Sequence, residues 1–95
     1  MKWKYESLTQ EHQLVYEKSV LVKIQLYPTK KGHYKVTTMI SGIYYGQRIQ
    51  KKLEKQKKEW VAYRKKFADK TSANEYINRK RDEVLRFVKA REKEA

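Results

Sequence analysis

The sequence predicts an α+β fold in which an antiparallel β-hairpin or short meander is followed by two C-terminal helices. Three observations lead there. Residues Ser19 to Tyr27 and Tyr34 to Ser41 alternate in polarity, the period of strands buried on one face. Between them Pro28-Thr29-Lys30-Lys31-Gly32 opens on the only proline and ends on a glycine, which suits a hairpin loop. From Gln47 onward turn residues become rare and apolar residues recur at three- and four-residue steps.

The elements follow in order. Trp3 and Tyr5 alternate with Lys2, Lys4 and Glu6, which suggests a short strand, while Ser7 to Lys18 reads as a helical turn or as the lead-in to the next strand. In the first clear strand Val20, Val22, Ile24 and Leu26 point one way and Leu21, Lys23, Gln25 and Tyr27 the other. The return strand sets Tyr34, Val36, Thr38 and Ile40 against Lys35, Thr37, Met39 and Ser41, with a bend expected near Gly42 or Gly46. Between Gly46 and Asp69 there is no Gly, Pro, Asn or Asp, so a continuous helix is expected from Gln47 to Lys70, with Ile49, Leu53, Trp60, Tyr63 and Phe67 on one narrow seam. Ser72 and Glu75 match a capping box for a second helix, whose stripe is Ala73, Tyr76, Ile77, Val84, Phe87 and Val88.

With 95 residues, 39% of them hydrophobic, the chain makes one domain with a modest core. It has no cysteine, so neither disulfides nor thiolate metal sites are available. The N-terminal residues lack the apolar core of a signal peptide and no apolar run spans a bilayer. The expected location is cytoplasmic or nucleoid-associated, with no membrane partner.

Charge is the main functional signal. The net charge is +13, far beyond what solubility needs, so a polyanionic partner is expected. The excess is local. Gln47 to Lys70 holds ten basic residues against three acidic ones, +7 of the total. Arg48, Lys51, Lys52, Lys55, Lys57, Lys58, Lys65 and Lys66 suit phosphates on successive turns. Base readout falls to Arg48, Arg64, Arg79 or Arg81, whose planar forks grip guanine, or to Gln47 and Gln50. Tyr44 and Tyr45 are adjacent and in extended backbone face opposite ways, so one of them, with Tyr27 or Tyr34, is a candidate to stack on a base.

Catalytic patterns are lacking. His12 and His33 are the only histidines, no acidic cluster has metal-ligand spacing, and the glycines form no phosphate-cradling loop. No enzyme activity, catalytic residue, metal or cofactor is expected.

A second parse exists. Trp60, Ala62 and Arg64 alternate with Val61, Tyr63 and Phe67, which would make a third strand followed by one C-terminal helix. It leaves residues 46–58 as a long loop, uncommon in a compact domain. On this parse KKFADKTSANEYIN (65–78), with Phe67, Thr71, Ala73, Tyr76 and Ile77, resembles the strand-to-helix junction of the small three-stranded-sheet-plus-helix DNA-binding domains, the arm-binding and AP2-like type of tyrosine recombinases. The resemblance covers about a third of the chain. It implies a sheet that enters the major groove, with Arg64 and Lys65 on its last strand.

The expected function is a small non-catalytic nucleic-acid-binding protein of a phage, mobile element or chromosome, with double-stranded DNA ahead of RNA and single strands. The alternative is a protein-interaction module, such as a basic inhibitor of a larger nucleic-acid enzyme that binds an acidic protein surface.

Overall fold

A computed structural model describes residues 1–94. The fold is α+β, with more strands than the alternation of the two clear segments suggested. Five strands, β1 (Lys2–Glu6), β2 (Glu11–Tyr16), β3 (Ser19–Pro28), β4 (Tyr34–Ser41) and β5 (Trp60–Phe67), form one antiparallel meander in sequence order. A 3-10 turn (Gly42–Tyr45) and helix α1 (Gly46–Lys55) are inserted between β4 and β5, and helix α2 (Lys70–Glu94) ends the chain.

Register sorts the side chains into two faces. Trp3, Leu14, Val22, Ile40 and Val61 are aligned across all five strands, and Tyr5, His12, Ile24, Thr38 and Tyr63 form the next row. These rows lie under α2. Its Ala73, Ile77, Val84 and Val88 join Leu14, Val22, Ile24, Val36 and Ile40 in the buried core, and the Phe67 and Tyr76 rings sit 5.0 Å apart. The expected stripe of this helix is therefore the buried one. At about 1.5 Å per residue its 25 residues reach ~37 Å, nearly the 41 Å long axis of the molecule.

The alternation in β3 holds from Val22 to Tyr27 and fails before it. A bulge between Leu14 and Val15 pairs Val15 with Val20, so Leu21 is extra and is buried beside Val22, while Val20 is only half-buried. The Ser7 to Lys18 segment is neither a helical turn nor a lead-in alone. It contains a hairpin turn, all of β2, and the two-residue connection Glu17-Lys18 into β3.

The expected continuous helix from Gln47 to Lys70 does not form. Helix α1 stops at Lys55 because Lys57 takes a left-handed conformation (φ 55°). The Lys57 N–H then donates to the Glu54 carbonyl at 3.0 Å and the Lys58 N–H to the Leu53 carbonyl at 2.8 Å, the paired bonds of a Schellman stop. Glycine normally occupies that position, which is why its absence suggested that the helix ran on. The residues beyond it gain a full set of ladder partners on β4, from Ser41 opposite Trp60 to Tyr34 opposite Phe67. Residues 60–67 are thus a strand, as in the second parse, and the seam is split: Trp60 faces away from α2 while Tyr63 and Phe67 face it.

Helix α2 begins one residue after Asp69 rather than at Ser72. The Ser72 N–H donates to Asp69 Oδ1 at 2.8 Å and the Ser72 hydroxyl to Oδ2 at 3.1 Å, so Asp69 is the cap and Ser72 its helical partner. These bonds hold the Asp69 carboxyl below its ordinary range. A carboxylate with a depressed folded-state pKa stabilises the fold above its unfolded-state pKa and loses that contribution as pH falls through the folded value. Acid titration of thermal stability therefore shows a loss below the ordinary carboxylate range. Asp69→Ala lowers Tm at neutral pH and removes part of the acid dependence.

A non-glycine residue in the left-handed region costs about 1–2 kcal/mol, part of which glycine returns through its looser unfolded state. Lys57→Gly raises urea-unfolding stability by roughly 0.5–1 kcal/mol with unchanged m-value, whereas Lys57→Val lowers it.

Candidate nucleic-acid interface

The face of the sheet away from α2 carries the partners of the opposite register. On β3, β4 and β5 these are Lys23, Gln25 and Tyr27, then Lys35, Thr37, Met39 and Ser41, then Trp60, Ala62, Arg64 and Lys66. No acidic residue stands among them. Helix α2 lies on the other side, and α1 makes its main contacts with the 3-10 turn and shares a hollow with Ser41 at the end of β4. The face is ordered by its own contacts. The Tyr27 and Thr37 hydroxyls are 2.6 Å apart. Lys23 Nζ lies 4.7 Å from the centre of the Trp60 ring, and Lys35 Nζ 5.9 Å from that of Tyr27. Arg64 and Lys66 on the edge strand are exposed.

Towards β1 and β2 the same face changes character. Glu11 and Glu6 appear there; Glu6 pairs with Lys4 at 3.8 Å, and Glu11 accepts from Thr9 and Gln13. The uncompensated part is the β3–β5 half.

Helix α1, inserted between β4 and β5, carries a second basic surface. Arg48, Lys51, Lys52 and Lys55 are exposed, as are Lys57 and Lys58 in the stop that follows. Among the described residues the ion pairs are Lys4 with Glu6 and Lys80 with Glu83, so none of these six cations is held by an acid. The helix is seated lightly, with no residue fully buried. Its anchor is Leu53, which lies so close to Gly42 that a Cβ there would sit 2.5 Å from Leu53 Cδ1, while the Gly42 N–H donates to the Glu59 carbonyl at 3.0 Å. Any Cβ at this position pushes the end of the Leu53 side chain aside and sits 3.2 Å from the Glu59 carbonyl oxygen.

The other expected site residues are scattered. Lys65 faces α2, its ammonium 5.1 Å from the Tyr76 ring centre and 5.6 Å from that of Phe67. Arg79 is exposed on α2 beside Asp82, Glu83 and Arg86. Arg81 is half-buried with its guanidinium 5.3 Å from the Trp3 ring centre. Tyr44 and Tyr45 do not take opposite faces of an extended segment. In the 3-10 turn both are half-buried against the core, with Tyr45 5.2 Å from Phe87 and its hydroxyl 3.2 Å from that of Tyr63. Burial first, then the bond to Tyr63, raises the Tyr45 phenol well above its ordinary range; burial, then Glu92, raises Tyr44. Of the thirteen residues singled out, the structure gathers Arg48, Lys51, Lys52, Lys55, Lys57 and Lys58 on and just after α1 and sets Arg64 and Lys66 on the bare sheet face.

Sequence reasoning missed Lys23, Lys35 and Trp60 for this surface. The alternation had already set Lys23 and Lys35 opposite the apolar rows, but which face a helix would cover was not visible. On a helix Trp60 belongs to the apolar seam, whereas the strand turns it to the bare face. Among the described residues no three His, Asp or Glu side chains gather as a metal site, and no helix is long and apolar enough to cross a membrane. Comparison of the chain with family models, with curated proteins and with solved structures finds no match.

The seat of α1 is testable apart from any ligand. Gly42→Val displaces Leu53, so the amides of residues 46–55 lose hydrogen-exchange protection while those of β3 and β4 keep theirs.

Proposed function

We propose that this chain is a small non-catalytic nucleic-acid-binding protein that favours double-stranded DNA. The observation that carries the reading is the bare β3–β5 face, which displays Lys23, Lys35, Arg64 and Lys66 with no acidic residue. Helix α1, inserted between β4 and β5, supplies Arg48, Lys51, Lys52 and Lys55 for the phosphates. A twisted sheet face of a few strands suits the major groove, and Arg64, projecting without a partner from the edge strand, is the residue for guanine readout. The resemblance of residues 65–78 to the arm-binding and AP2-like junction implies the same docking. A cytoplasmic or nucleoid-associated location belongs to this reading.

The aromatic residues favour a duplex over a single strand. Base stacking needs open ring faces. On the β3–β5 face the rings are Trp60 and Tyr27, and each is already approached by a lysine ammonium group.

One observation favours the second reading, an acidic protein partner. Ile43 is 61% exposed and lines one hollow with the half-buried Leu53 and with Lys58, an apolar spot that phosphates alone do not require.

Fluorescence-anisotropy titration with duplex DNA, single-stranded DNA and structured RNA at 50 and 200 mM salt decides between them. Roughly six phosphate contacts give a salt slope near −5 and a loss of about a thousandfold over this range. Lys51→Glu/Lys55→Glu/Lys58→Glu stays folded, since these side chains are exposed, and loses binding to all sequences. Arg64→Ala costs about 1–3 kcal/mol on the preferred sequence and less on others. Absence of binding to any nucleic acid at physiological salt defeats this proposal and turns the search to a protein partner.

A further inference from the structure

A cavity of about 370 Å³ opens on the opposite side of the sheet, where the β1–β2 and β3–β4 turns meet the start of α2. It plays no part in the basic interface. Its walls are aromatic: Tyr5 and His12, paired across β1 and β2 with ring centres 5.0 Å apart at 54°, and Tyr34 at the head of β4. Leu26, Pro28 and the buried Ile77 contribute apolar surface. Hydrogen-bonding capacity comes from Gln10 and Asn74, each with an amide that both donates and accepts. Lys70 is the single cation, and no Asp or Glu lines the space.

That combination is selective. The Gln10 and Asn74 amides are exposed and so are free to exchange water for the polar edge of a ligand, while a bare anion would find one lysine and an aromatic wall. A planar heteroaromatic ring with a short arm ending in an anion satisfies every feature. The volume falls within the range of small-molecule sites, about 300–1,000 Å³. Burial first, and then Arg81, lowers the pKa of His12, so its ring is neutral at physiological pH and offers one donor and one acceptor.

We infer that this cavity is a nucleotide-binding site in which the base lies against Tyr5, His12 and Tyr34, its edge is read by Gln10 and Asn74, and its phosphate meets Lys70. The base gains stacking against ring faces, and the phosphate gains a charge-assisted contact. Two sources present this chemistry: a free nucleoside monophosphate, and the unpaired terminal nucleotide of a strand.

The site is tested by following backbone amide shifts of the full chain during titration with AMP, CMP, adenosine and inorganic phosphate. A second series uses a blunt DNA duplex and one with a single-nucleotide overhang. Saturable shifts at Tyr5, His12, Tyr34 and Asn74 with AMP or CMP establish the free nucleotide as the source. The same shifts with the overhang duplex alone establish the strand end. In either case Lys70→Gln weakens the responding ligand about tenfold and Asn74→Ala weakens it too; where the free nucleotide is the source, Lys70→Gln leaves adenosine binding unchanged. The inference is overturned if none of these ligands moves the four amides, if inorganic phosphate reproduces the whole pattern, or if Lys70→Gln and Asn74→Ala bind like wild type. The Lys51→Glu/Lys55→Glu/Lys58→Glu variant keeps nucleotide binding here, so failure of the basic interface and failure of this cavity are read separately.

Discussion

The burial of one sheet face beneath a single long helix is the constraint on which the rest of the structure depends. Fully burying a Val, Leu or Ile side chain yields about 1.5–3 kcal/mol relative to exposure. Nearly all such side chains here lie in one layer, between β1–β5 and the Ala73, Ile77, Val84 and Val88 stripe. A chain of this size has no second helix left to cover the other face. Helix α1 is ten residues long and packs on the 3-10 turn instead. The uncovered face therefore mixes polar with apolar side chains, and the charged residues of its β3–β5 half, Lys23, Lys35, Arg64 and Lys66, are all basic.

That division explains how basic residues adjacent in sequence have different surroundings. Along β5, Arg64 and Lys66 point to the bare face while Lys65 points to α2, where its ammonium lies over Tyr76 and Phe67. The two-residue period of a strand separates them; on a helix they would have formed one continuous basic sector. Conversely, Lys23, Lys35 and Arg64 are far apart in sequence and share a surface because β3, β4 and β5 are neighbours. The charge surplus concentrated in residues 47–70 is thus divided between α1 and the edge of the sheet.

Left-handed residues set where the elements end. Gln10, Glu17 and Lys57 all have φ near 55°, and each lies at a reversal: the β1–β2 turn, the β2–β3 connection and the stop of α1. None is a glycine or an asparagine, so none gave a turn signal. The strain they carry is tolerated because each reversal brings apolar strand residues into register with their neighbours. Gly32 (φ 77°), by contrast, closes the β3–β4 loop where the sequence signalled a turn.

Local chemistry was enough to recover an α+β chain, the β3–β4 hairpin, the buried stripe of α2 and the basic segment around α1, because alternation, helical spacing and charge are properties of neighbouring residues. The number of strands, the end of α1 at Lys57 and the assignment of residues 60–67 to a strand were decided by tertiary pairing. A segment with good helix formers and no glycine prefers a helix alone, but against β4 it gains a ladder of backbone hydrogen bonds and buries Val61 and Phe67 at least in part. The candidate surface followed the same rule. Its charge was legible in the chain, whereas its membership, with Lys23 and Lys35 joined to Arg64 and with Tyr44, Tyr45 and Lys65 drawn towards the core side, depended on which face α2 covers. That choice is settled only when distant apolar rows meet, since no local pattern states which side of a strand will find a partner.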